Sequence, residues 1–130
     1  TAYNRLFYKQ GEKSLEEHYK NVYKENSVGF INMKKQLGIL ANYAKKNNIN
    51  IYLIMTPDIT DLKDYKFTYI HEIMMELSKE LGYQYADTLP SFLGIDFEDL
   101  YAMPGDPHPN AKGHQIIAEI AFPLILESNK

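Results

Sequence analysis

Ile51-Tyr52-Leu53-Ile54-Met55-Thr56-Pro57 is the stretch that decides the fold. An almost wholly apolar run, without polar alternation, is the pattern of a parallel strand covered on both faces. Pro57 closes it, because proline has no N–H to give to a ladder. Upstream, after Ser27, the apolar positions Phe30, Met33, Leu37, Leu40, Ala41 and Ala44 recur at three- and four-residue steps. That spacing predicts a helix of about five turns, ended by Asn47-Asn48. Downstream, a polar loop from Asp58 to Asp64 leads into a second amphipathic helix with Phe67, Ile70, Met74, Leu77 and Leu81 on one face, and Gly82 is its C′ residue.

Tyr83 to Asp87 reads as a second short strand, and Thr88 to Pro109 as irregular. Asn110 is placed to cap a final helix carrying Ile116, Ile117, Ile120, Ala121 and Leu124, with a kink expected at Pro123. At the other end Ser14-Leu15-Glu16-Glu17 has capping-box spacing for a helix from Leu15 to Lys24. Tyr3 to Lys9 mixes aromatics with charge and reads as a strand, a helical turn or an arm, so residues 1–26 are taken as an N-terminal arm and short helix. The alternation of helix and strand, with crossover-length connections, predicts an α/β domain with a parallel sheet.

Two strands are too few for that sheet, since sheets usually hold about four to six. Either Tyr3 to Lys9 and a partner chain supply more, or an upstream half is missing. The second is the expectation, and the absence of an initiator Met agrees with an excised piece. An uncovered strand is a template for another chain, so self-association through the sheet edge is expected.

The bulk numbers exclude several classes. A chain of 130 residues, 45% hydrophobic and 24% charged, suits one domain spanning 1–130 with a packed core. A net charge of -3 gives no basic footprint for nucleic acid or an anionic membrane surface. No apolar run approaches the ~20 residues of a membrane span. The lack of cysteine removes disulfides, thiolate nucleophiles and Cys-ligated zinc, and leaves the compartment open.

Chemistry concentrates in Gly105-Asp106-Pro107-His108-Pro109-Asn110. A neutral imidazole takes a proton from a nucleophile and later returns it, but needs a carboxylate to hold its tautomer and steady the cation. Asp106, two residues from His108, suits that role, and the flanking prolines restrict the backbone that presents the ring. Alone, Asp-X-His is more often a surface turn than a catalytic pair. Of the other histidines, His114 suits helix packing or solvent, while His18 and His71 lie in charged helices and are expected to be solvated. Met33, Met55, Met74 and Met75 read as core filler.

The wider segment from Asp106 through His114 to Ala118 resembles the terminal block of the SGNH hydrolases, also called GDSL-like esterases. In that family an Asp and a His precede the last helix and complete a Ser-His-Asp triad. The likeness extends, less specifically, from about Ser27 to Leu126. It implies the C-terminal half of a three-layer flavodoxin-like SGNH fold, with His108 as general base and Asp106 as its orienting carboxylate. Asp-X-His differs from the commoner Asp-X-X-His, though it occurs in relatives acting on polysaccharides. The family's Gly-Asp-Ser, Gly and Gly-X-Asn blocks have no match here.

Ser14 and Ser27 read as helix caps, Ser78 lies inside a helix and Ser128 at the end, which leaves Ser91, in a loop after a strand, as a weak candidate nucleophile. The expectation is therefore an O-acyl ester hydrolase, acting on a small-molecule, carbohydrate or lipid ester without a cofactor. Its serine lies elsewhere, and the isolated chain is predicted inactive. The alternatives are a metal-assisted hydrolase using Asp106, His108 and His114, and a non-catalytic binding or assembly module.

Overall fold

The computed structural model describes residues 14–127. They fall into two compact units, divided in sequence between Leu40 and Ala41. Tyr3 to Lys9 lies outside the described residues.

In the first unit, α1 (Leu15–Val22) is capped by the Ser14 hydroxyl, which accepts from the Glu17 N–H at 3.2 Å. It stops two residues short of Lys24. The Ser27 hydroxyl donates to the Val22 carbonyl and accepts from the Phe30 N–H, so one side chain ends α1 and starts α2 (Val28–Lys46). Phe30 is buried, with the Tyr23 ring 5.7 Å from its centroid and the Lys34 ammonium at 4.8 Å. Leu40, expected on the buried stripe, is exposed instead, as are Val28, Ile31 and Ile39.

In the second unit, Ala44 is buried near the end of α2, and Asn48 leaves the helix at φ +54°. Asn tolerates this left-handed conformation because its short side chain bonds locally. β1 (Tyr52–Met55) pairs in parallel with β2 (Gln84–Asp87), in register from Tyr52 opposite Gln84 to Met55 opposite Asp87. Between them runs α3 (Thr68–Leu81), which buries Ile70, Met74 and Leu77. It closes at Gly82, φ +74°, where the next N–H, of Tyr83, reaches back to the Ser78 carbonyl at 2.8 Å. A side chain there would be strained in this left-handed conformation, as the predicted C′ assignment requires.

The described residues are thus mixed α/β with a two-stranded parallel sheet. All four β1 residues are only half-buried, not covered on both faces as their composition predicts. Covering both faces takes helices packed above and below the sheet, which the composition of the strand does not report.

Thr88 to Pro109 is more regular than expected. It forms a short helix, α4 (Leu89–Phe92), a 3₁₀ turn (Phe97–Leu100) and an antiparallel hairpin of β3 (Tyr101–Met103) and β4 (Asp106–Pro109). α5 (Ala111–Glu127) follows and carries Pro123 within it. The core beneath these elements is Ile59, Leu62, Phe92 and Leu100, with Tyr65, Tyr101, Ile116 and Ile117 packed on it. Of the methionines read as core, Met74 is buried, Met33 and Met55 are half-buried, and Met75 is exposed. Among the described residues no helix is long and apolar enough to cross a membrane.

Candidate functional site

The hairpin owes its tip to Pro104-Gly105, where Gly105 takes φ +79°. Tyr101 stands opposite Pro109 and Met103 opposite Asp106, so two residues, Pro107 and His108, face the single Ala102. This is a bulge, a device that leaves an extra residue unpaired and re-aims its side chain. Proline belongs there because it cannot donate to the ladder. The sequence places Asp106 and His108 in a loop; they lie instead on a bulged strand.

The Asp106 Oδ1 accepts from the His108 backbone N–H at 3.1 Å and meets the His108 ring at Nδ1. The ring bond first, and the backbone N–H second, hold the Asp106 carboxyl below its ordinary range. An ionised carboxylate only accepts, so the proton between them sits on Nδ1, and Nε2 faces away from the carboxylate. The His108 side chain is 79% exposed against 34% for Asp106. Among the described residues nothing bonds Nε2, so the ring can take a proton from a group brought to it.

The floor of this pair is built by Asn110. Its Oδ1 accepts from the N–H groups of Lys112 and Gly113 at 2.9 and 3.1 Å, which caps α5 as predicted. Its Nδ2 donates to the Asp99 carbonyl at 2.8 Å and its backbone N–H to the Leu100 carbonyl at 2.7 Å. One residue therefore ties β4, the 3₁₀ turn and the start of α5 together. Gly113 completes the contact, since a Cβ there would lie 2.9 Å from the Pro109 Cβ. His114, on the same turn of α5, is exposed.

A second polar cluster escaped the sequence reading. His71, expected in solvent, is 2% exposed. Its Nδ1 meets the Asp87 Oδ1 at 2.8 Å and its Nε2 the Tyr65 hydroxyl at 2.7 Å, while its carbonyl accepts from the Tyr85 hydroxyl at 3.0 Å. Burial, and then the Asp87 charge, push the Tyr85 phenol up to about 12. The arrangement joins the loop after β1, helix α3 and the end of β2. His71 directly follows the buried Ile70 and precedes buried Met74 by three residues, a spacing that puts it beside the apolar face. His18, also expected in solvent, is half-buried, with its ring edge-on to Tyr19.

The serines divide as their positions imply. Ser14 and Ser27 cap helices, and Ser78 is buried with its hydroxyl donating to the Met74 carbonyl at 2.7 Å. Ser91 is exposed within α4 rather than in a loop. Among the described residues no three His, Asp or Glu side chains are grouped to hold a metal ion, so Asp106, His108 and His114 do not form a ligand set. No protein-family model, curated protein or solved structure matches the chain.

Proposed function

We propose that this chain carries the base and orienting carboxylate of an SGNH-type serine esterase, and that β1, β2 and their helices are the C-terminal half of a flavodoxin-like sheet. The observation that carries the reading is the Asp106 to His108 Nδ1 contact on a bulged strand, with Nε2 turned outward. Acyl transfer needs such a base beside a hydroxyl nucleophile. The hydroxyl comes from a serine outside these residues, because the four serines with described positions are occupied as caps, buried, or set in α4. His108 would take the serine proton as the ester carbonyl is attacked, pass it to the leaving alcohol, and then activate water against the acyl-enzyme.

A metal-assisted hydrolase is less well supported, since the three side chains it would use are not gathered. A binding or assembly module on the same framework makes the opposite prediction for activity. The test is hydrolysis of aryl acetates by the chain joined to its natural upstream sequence. His108→Ala is expected to lower kcat by roughly 10³-fold or more, and Asp106→Ala by a comparable factor. Turnover unchanged by His108→Ala refutes the esterase reading, and no turnover in the parent protein favours the binding module. The 130-residue chain alone is expected to be no faster than its His108→Ala variant.

A further inference from the structure

Beside the hairpin lies a cleft of about 600 Å³, within the range of small-ligand sites. Phe97, Tyr101, Met103 and Pro104 line it, and it ends at Gly105, the residue before Asp106. The Phe97 and Tyr101 rings form a tilted contact pair, with centroids 5.3 Å apart and planes inclined at 50°. Met103 is 61% exposed, so its thioether is accessible from the cleft it lines. Among the described residues Glu98 is the single charged side chain in the lining. Its neighbours are engaged: Asp99 meets Lys112 at 3.5 Å, and Asp96 accepts from the Glu98 backbone N–H at 3.1 Å. The Glu98 carboxylate has no cationic partner among the described residues.

Aromatic faces carry negative charge density, a thioether is polarisable, and a carboxylate is anionic. All three attract a cation, and among the described residues no basic side chain lines the cleft to oppose one. We propose that this cleft binds an alkylammonium group, and that it selects esters whose alcohol carries one. The second part rests on the esterase reading; the first does not. The cleft would seat the ammonium head against the Phe97 ring with Glu98 at its rim, and leave the ester bond toward the Asp106–His108 strand.

The test compares choline with its neutral isostere 3,3-dimethylbutan-1-ol, using chemical-shift titration of the Met103 and Ala102 methyl groups in the 130-residue chain. Choline is expected to bind roughly fivefold more tightly, as an exposed cation–π contact and a rim carboxylate together allow. Glu98→Gln should weaken choline about two- to threefold and leave the isostere unchanged. Phe97→Leu keeps apolar bulk but removes the ring face, and should act the same way. Glu98 is exposed, so its variant reports on the site even if Phe97→Leu disturbs folding. Equal binding of choline and isostere, tighter binding of a neutral sugar, or no saturable shift at the cleft overturns the proposal. Choline binding without ester hydrolysis in the upstream-extended protein would sink the esterase reading alone.

Discussion

Replacing Asn110 with Ala should loosen the site from beneath. The cap to the Lys112 and Gly113 N–H groups is lost, at about 1 kcal/mol. The bond from Nδ2 to the Asp99 carbonyl is lost as well, at about another 1 kcal/mol. Gly113 is buried, so its freed N–H has poor access to water, which keeps the first cost from being recovered. The backbone bond to the Leu100 carbonyl survives any substitution except proline. A total of roughly 2 kcal/mol, at an unfolding entropy of about 2.1 cal/mol/K per residue, lowers Tm by roughly 7 °C for a chain of this length.

Asn110→Asp separates the two terms. It keeps the accepting oxygen and adds a charge that the helix N-terminus favours, but it cannot donate to Asp99. It should therefore lose roughly half as much as Asn110→Ala. Thermal and urea unfolding followed by circular dichroism would measure both. A parent-like Asn110→Ala, within about 0.5 kcal/mol, would refute the assignment of Asn110 as the tie.

Four further outcomes are expected. His71→Ala removes the His71 bonds to the Tyr65 hydroxyl and the Asp87 carboxylate and leaves a cavity, so denaturant unfolding should show a loss of roughly 3 kcal/mol; a loss under about 1 kcal/mol would mean the cluster is not bonded in solution. Gly113→Ala gains helix propensity of about 1 kcal/mol but drives a Cβ against Pro109, and should be net destabilising in the same assay, whereas a rise in Tm would show that β4 yields. Asp106 has a folded pKa below its unfolded value, so its contribution to stability is present above about pH 3.9 and is lost as pH falls through the lowered value. Its carboxyl carbon should titrate below that value by NMR and move upward in His108→Ala. Sedimentation across a dilution series should show self-association, since the described parallel sheet has two strands where sheets usually hold about four to six, and a monomer at all concentrations would count against an open edge.

What the sequence by itself determined was local. The run at Ile51, the stop at Pro57, the Gly82 terminus, the Asn110 cap and the Asp106–His108 contact each depend on residues within a turn or two of one another. Their chemistry is decided by backbone sterics and short-range hydrogen bonds, which spacing reports directly. Tertiary structure alone decided the rest. The burial of His71 depends on Asp87, sixteen residues away across a crossover, and helix charge says nothing about that partner. The hairpin at Tyr101 to Pro109 has two prolines in one strand and no alternation, so its pairing is specified by what packs beneath it, Leu100 and Phe92, rather than by strand propensity. β1 has the composition of a covered strand, but coverage is a property of neighbouring elements, and its half-burial was visible only once the two-stranded sheet was formed.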